Sequence, residues 1–157
     1  KIINLFAKAC GPNGMVEGQS RDLVSEGKKI EIEELDEIHY LKTGKLIEAC
    51  VESICILKDG LSKKDMKAFL IFAKKFGLAF QIKDDILDVL GDEKKIGKPI
   101  NSDVKKNKAT YPAIIGIKES QKRAEELCSD ALKILSSLPY NNENLIKLSK
   151  FIIFRDK

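Results

Sequence analysis

The residues with the clearest chemical capacity are Asp84, Asp85 and Asp88, in the run Phe80-Gln81-Ile82-Lys83-Asp84-Asp85-Ile86-Leu87-Asp88. The segment Lys64–Leu90 has helical apolar spacing and Gly91 follows it as a stop. The carboxylates therefore fall in its last two turns. There the helix dipole disfavours an anion by roughly 0.3–1 kcal/mol, and Asp84 and Asp88, four apart, repel across one face. A helix that carries both penalties points to a bound cation. Gln81, Asp84 and Asp88 stand at i, i+3 and i+7, one stripe spanning roughly 10 Å along the axis. Two carboxylates beside an amide are hard oxygen donors suited to Mg²⁺, which takes one or two protein carboxylates and fills its other positions with water and phosphate oxygen. A solvated acidic helix end is the plain alternative.

Three further constellations accompany this stripe. Lys42-Thr43-Gly44 sits in the middle of a helical pattern over Glu31–Lys58, where a glycine costs roughly 1 kcal/mol relative to alanine and calls for close approach of a helix or ligand. A surface kink explains it as simply. A stretch from Gly97-Lys98-Pro99 through Ser102-Asp103 to Lys108-Ala109-Thr110-Tyr111-Pro112 follows the acidic helix. Lys98 and Lys108 there can neutralise a polyanion bridged by the metal, or belong to a solvated basic loop. Gly14-Met15-Val16-Glu17-Gly18-Gln19-Ser20-Arg21-Asp22 pairs two glycines on a helix. That implies tight packing and makes Gln19 a buried polar group in want of a partner. Asp22, Asp36, Asp59, Asp65 and Asp130 read as isolated acids.

The elements that must position these groups read as helices almost throughout. Gly11-Pro12-Asn13-Gly14 breaks a first helix, and a second runs from Met15 to about Ser25. Asp59-Gly60-Leu61-Ser62 is a turn with Ser62 as N-cap for Lys64–Leu90. After Pro112 come helices near Ala113–Lys118, Ser120–Ser137 and Asn142–Phe154. No strand alternation and no internal repeat is visible. Several helices are apolar on more than one face, so the fold class is all-α, a bundle with central helices.

Composition narrows the function classes. The 157 residues are 43% hydrophobic and 33% charged, as in a folded domain with a real core. No apolar run approaches the about 18–20 residues that span a bilayer, so no stable membrane insertion is expected. The net charge is +4, with lysines gathered at Lys94, Lys95, Lys98, Lys105, Lys106 and Lys108. No aromatics are interleaved among them, so nucleic acid is not the expected partner. Cys10, Cys50, Cys55 and Cys128 form no CxxC pair and read as core thiols of a reducing cytosol. His39 is the sole histidine. It reads as a helix-surface or packing residue, and its solitude argues against zinc and most histidine-dependent catalysis.

Taken in order, Gly14-Met15…Gly18-Gln19…Asp22, Lys42-Thr43-Gly44, Phe80-Gln81…Asp84-Asp85…Asp88, Gly97-Lys98, Asp103, Lys108 and Thr110-Tyr111-Pro112 resemble the C-terminal half of the trans-isoprenyl diphosphate synthases. This is the farnesyl and geranylgeranyl diphosphate synthase family. The resemblance covers essentially the whole chain, and Phe151 to Lys157 looks like a family C-terminus. It implies an isoprenoid-synthase bundle in which residues 1–157 are the C-terminal portion of one domain. The first aspartate-rich motif and the residues that hold isopentenyl diphosphate belong to an N-terminal half not in this sequence. It implies prenyl transfer from an allylic diphosphate to isopentenyl diphosphate, Mg²⁺ as cofactor, a cytoplasmic setting and a homodimer at full length. Asp84 is implied as the direct Mg²⁺ ligand, with Asp88 assisting and Asp85 holding a nearby lysine. Lys42, Lys98 and Lys108 are implied to contact the allylic diphosphate, with Thr43 and Gln81 beside its ionising carbon. On this reading the chain by itself is incomplete for catalysis. The rivals are a non-catalytic helical subunit or interaction module and, within enzymes, a terpene cyclase, whose Asn/Ser/Glu-type second metal motif is not seen here.

Overall fold

The computed structural model describes residues 1–90 and 108–154. Most of the Gly- and Lys-rich stretch, with Gly97, Lys98 and Asp103, lies outside the described residues.

The chain runs through α1 (Ile2–Cys10), α2 (Met15–Val24), α3 (Ile32–His39), a π-helical turn (Tyr40–Gly44) and α4 (Lys45–Leu57). It continues through α5 (Lys63–Leu90), α6 (Tyr111–Ile115), α7 (Ile117–Ser137) and α8 (Glu143–Phe154). No strand occurs among the described residues. The helix expected over Glu31–Lys58 is present but not continuous, because the π turn divides it at Lys42-Thr43-Gly44. Such one-turn π insertions are rare and concentrate at functional sites. Ser62 caps α5, its Oγ accepting from the Asp65 N–H at 3.0 Å.

The bundle is organised around α5. Its 28 residues give a rod of about 42 Å, packed against α3, α4, the π turn, α6, α7 and α8. So many neighbours require a wide apolar face. Phe72, Ala73 and Phe76 meet Ala131 and Leu135 of α7, while Ile82 and Ile86 meet Leu35, Tyr111 and Ala124. Ala79, Cys128 and Ile153 join α5, α7 and α8. Lys75 at the rim donates to Asp130 of α7 at 3.0 Å.

Two expectations fail on burial. Gln19 is exposed, because the inward face of α2 belongs to Gly18 and Asp22, and Gln19 adjoins Gly18 about 100° round the helix. Of the cysteines, Cys55 and Cys128 are buried, but Cys50 is exposed and Cys10 only half-buried. The apolar face of α4 turns Ala49, Ser53 and Cys55 inward instead.

Candidate active site

The site is assembled from three stretches distant in sequence: α2, the π turn with the end of α3, and the end of α5 with the segment 108–111. Gly18 explains how α2 approaches. A Cβ built on Gly18 would lie 2.2 Å from the Lys42 amide nitrogen and 2.6 Å from its Cα. Both are backbone atoms that no rotamer change can move. Only glycine lets α2 lie on the π turn at this depth. Gly44, on the same turn, faces α5, where a Cβ on Gly77 would meet the Gly44 Cα at 3.2 Å. A Cβ on Gly44 itself would lie 2.9 Å from the Tyr40 ring, so the glycine in Lys42-Thr43-Gly44 makes room for Tyr40, and the close approach to α5 is set from the Gly77 side.

One turn beyond Gly18, Asp22 is buried at 8% exposure. Its Oδ2 accepts from Lys42 Nζ at 3.0 Å and from Lys108 Nζ at 2.9 Å. Burial pushes the Asp22 carboxyl up, but the Lys108 and Lys42 ammonium groups outweigh it and hold the group below its usual value. An acid that looked isolated in the sequence therefore gathers two lysines separated by much of the chain. The sequence signals for it are its place one helical turn after a close-packed glycine and its position at the end of the Gly14-Met15…Gly18-Gln19…Asp22 motif. The side chain of Lys42 keeps 31% exposure and that of Lys108 keeps 16%, so both lie at the surface of the cluster. Thr43 sits beside Lys42 on the π turn, half-buried.

Asp85 is the second hub. Its Oδ2 lies 3.1 Å from His39 Nε2 and accepts the Tyr111 backbone N–H at 3.0 Å. Burial pushes its carboxyl up, and the hydrogen bond to His39 opposes that rise. The His39 and Tyr111 rings stack with centroids 5.9 Å apart. In this geometry Asp22 accepts from Lys42 and Lys108, while Asp85, which also lies in the field of Lys42, ties α5 to α3 and to the start of α6. His39 is a packing residue, as one of the two readings had it, yet a polar one. Its Nδ1 is buried without a hydrogen-bond partner.

Tyr111 completes the frame. It is fully buried and its hydroxyl donates to Asp36 in a short contact. Arg123 of α7 adds Nε to the Tyr111 hydroxyl at 3.2 Å and Nη2 to Asp36 at 2.7 Å. Burial raises the Asp36 carboxyl and Arg123 works against it. Thr110 caps α6, its Oγ1 accepting from the Ala113 N–H, and Pro112 stands in the first turn, where it has no N–H to lose. This lock fixes the backbone three residues from Lys108.

On the α5 stripe, Gln81 is 7% exposed, Asp88 is 2% exposed, and Asp84 is half-buried. Among the described residues no three His, Cys, Asp or Glu side chains gather about one point. The donor set of Asp84 and Asp88 suits a Mg²⁺ that completes its shell with water and ligand oxygen, and does not suit a closed all-protein cage. Asp85 directs its Oδ2 to His39 and to the Tyr111 amide, contacts that anchor the helix carrying Asp84 and Asp88.

In chemical terms the corner joins a carboxylate-bearing helix end to a cation-rich fork, the complement of a metal-bridged polyanion. Residues 1–144 match the family model described as "Polyprenyl synthetase". The chain is 43% identical to the geranylgeranyl diphosphate synthase of Cyanophora paradoxa, across 99% of this chain and 52% of that protein. It is 38% identical to the farnesyl diphosphate synthase of Geobacillus stearothermophilus, over 99% and 52% respectively. Among solved structures, geranylgeranyl pyrophosphate synthetase from Pyrococcus horikoshii superposes with a TM-score of 0.82 at 30% identity, covering 98% of this chain and 58% of that one. The Helicobacter pylori geranyltransferase complexed with magnesium and isoprenyl diphosphate superposes with a TM-score of 0.79 at 28% identity, covering 97% and 49%. The chain spans about half the length of the curated relatives it matches. With the motifs of the described residues folded into one corner of an all-α bundle and the family model matched over most of its length, this chain belongs to the polyprenyl synthetase family.

Proposed function

We propose that the intact protein is a prenyltransferase that condenses an allylic diphosphate with isopentenyl diphosphate to give farnesyl or geranylgeranyl diphosphate, and that this chain carries one side of its active site. The observation that carries the reading is the convergence of Lys42 and Lys108 on Asp22. That fork stands beside the helix end tied down through His39, Asp85 and Tyr111. A cationic fork next to a carboxylate-bearing helix suits a diphosphate, whose acidic oxygens need neutralising from both sides.

In the reaction, the allylic C–O bond breaks and its electron pair leaves with the diphosphate. The double bond of isopentenyl diphosphate then attacks the allylic carbon, a C–C bond forms, and loss of a proton restores a double bond. Lys42 and Lys108 would bind the departing diphosphate, with Lys98 joining them from outside the described residues. Thr43 and Gln81 would face the ionising carbon, where their oxygen dipoles favour positive charge. Asp84 and Asp88 would hold Mg²⁺, with Asp85 anchoring their helix rather than ligating. Bound there, Mg²⁺ supplies Lewis-acid neutralisation of the charge that builds on the leaving diphosphate. The apolar faces of α5 and its neighbours exclude water from the cation.

Support for the metal comes from the hard-oxygen donor pair and from the similar Helicobacter pylori geranyltransferase, whose structure is a complex with magnesium and isoprenyl diphosphate. A cytoplasmic setting accords with four free thiols and with the absence, among the described residues, of a helix long and apolar enough to cross a membrane. A homodimer belongs to the same reading and is checked by light scattering on the intact protein. The decisive experiment is Asp84→Ala in the intact protein, which should lose most Mg²⁺-dependent incorporation of isopentenyl diphosphate. Activity retained near wild type would overturn the assignment.

A further inference from the structure

We infer that Asp22 is a positioning residue for the diphosphate site, a buried carboxylate that holds the Lys42 and Lys108 ammonium groups as a two-pronged fork. The inference rests on the diphosphate reading above and goes beyond it by assigning a residue that makes no contact with substrate chemistry of its own. Both bonds end on the same oxygen, Oδ2, at 3.0 and 2.9 Å. Two ammonium groups brought this close repel one another unless an anion stands between them, and lysine chains are otherwise free to splay into water. Each ammonium carries three N–H donors, and the bond to Asp22 takes one from each. The carboxylate can hold this place because α2 is seated on the π turn through Gly18. The Ser25 hydroxyl, donating to the Asp22 carbonyl at 2.8 Å, pins the backbone there.

Simple charge arithmetic predicts the opposite of positioning. Removing a carboxylate beside an anion site relieves repulsion and should tighten anion binding. The two accounts therefore differ in sign. The test is calorimetric titration of the intact protein with inorganic pyrophosphate in saturating MgCl₂. Asp22→Asn is expected to weaken binding about tenfold, the range of coupled charge networks. Asp22→Glu, which keeps the charge, should recover much of the loss. Asp22→Ser serves as a second neutral variant should the Asn form not fold, and is expected to weaken binding to a similar extent. In a Lys42→Met background the Asp22→Asn penalty should fall to about threefold, because only Lys108 remains to be positioned. A merely structural Asp22 would show the same penalty in both backgrounds, and that result would overturn the inference. Equal or tighter pyrophosphate binding by Asp22→Asn overturns it as well and leaves the diphosphate reading standing. A wild type that does not bind pyrophosphate overturns both.

Discussion

His39 Nε2 lies 3.1 Å from Asp85 Oδ2, inside the bundle and 46 residues apart in sequence. This one contact joins the end of α3, where the π turn begins, to the carboxylate-bearing end of α5. Asp85 has a second donor in the Tyr111 amide. A His39→Ala variant therefore leaves a buried carboxylate with one bond fewer, which should cost about 2–3 kcal/mol, the range for losing a partner of a buried charged group. Urea unfolding of wild type and variant measures it, and a loss under about 0.5 kcal/mol would remove His39 from the frame.

Gly18 and Gly77 give a paired prediction. Gly18→Ala drives a methyl group into the Lys42 backbone at 2.2 Å and should cost about 1–3 kcal/mol through overpacking. It should also weaken pyrophosphate binding, since it moves Asp22 relative to Lys42. Gly77→Ala meets the Gly44 Cα at 3.2 Å, a shift of a few tenths of an ångström, offset by up to about 1 kcal/mol of helix propensity. Thermal melting should rank Gly18→Ala well below Gly77→Ala.

Tyr111 separates polar from apolar contributions. Tyr111→Phe keeps the ring on His39 but removes the hydroxyl shared by Asp36 and Arg123. It should cost about 1–2 kcal/mol, whereas Tyr111→Ala empties a fully buried site and should cost about 3–5 kcal/mol. Chemical denaturation of the two variants distinguishes them.

The Asp22 carboxyl gives a pH dependence with a definite sign. Its folded value lies below the ordinary 3.8 because the two lysines outweigh burial. Its ionic contribution to stability is therefore present above the ordinary value and falls away as the pH drops through the folded one. The stability gap between wild type and Asp22→Asn should be larger at about pH 6 than at about pH 3. Denaturation midpoints at the two pH values read it directly; a gap that widens in acid contradicts the ion pairs.

Metal linkage offers a readout without turnover. MgCl₂ with pyrophosphate should raise the melting temperature of the intact protein, by an amount equivalent to about 2.7 kcal/mol at a hundredfold excess over Kd. Asp84→Asn should abolish most of that rise while leaving the ligand-free melting temperature within a few degrees.

Most of the helical architecture is legible in the sequence because each signal is local. Ser62 caps α5 where the turn residues place the cap, and the apolar spacing of α5 puts Phe72, Phe76, Ile82 and Ile86 inside. Where a signal depends on the neighbour, it misleads. The glycines beside Gln19 mark a packed face and suggest a buried amide, but which side of α2 packs is settled by the π turn it meets. The π turn leaves one local trace, the helix-interior Gly44, which marks an irregularity without naming its kind; the place of the turn is defined by the contacts of Gly18 and Gly77 on either side.

The sequence alone determined the all-α class, the ordered motifs and the stripe of Gln81, Asp84 and Asp88, for these follow from residue type and helical period. The tertiary structure decided the division of labour among the acids. It gave the two lysines to Asp22, Asp85 to His39 and Tyr111, and Asp36 to Arg123. The physical reason is that a carboxylate's role depends on its partners within about 3 Å, and here those partners lie as many as 87 residues away along the chain.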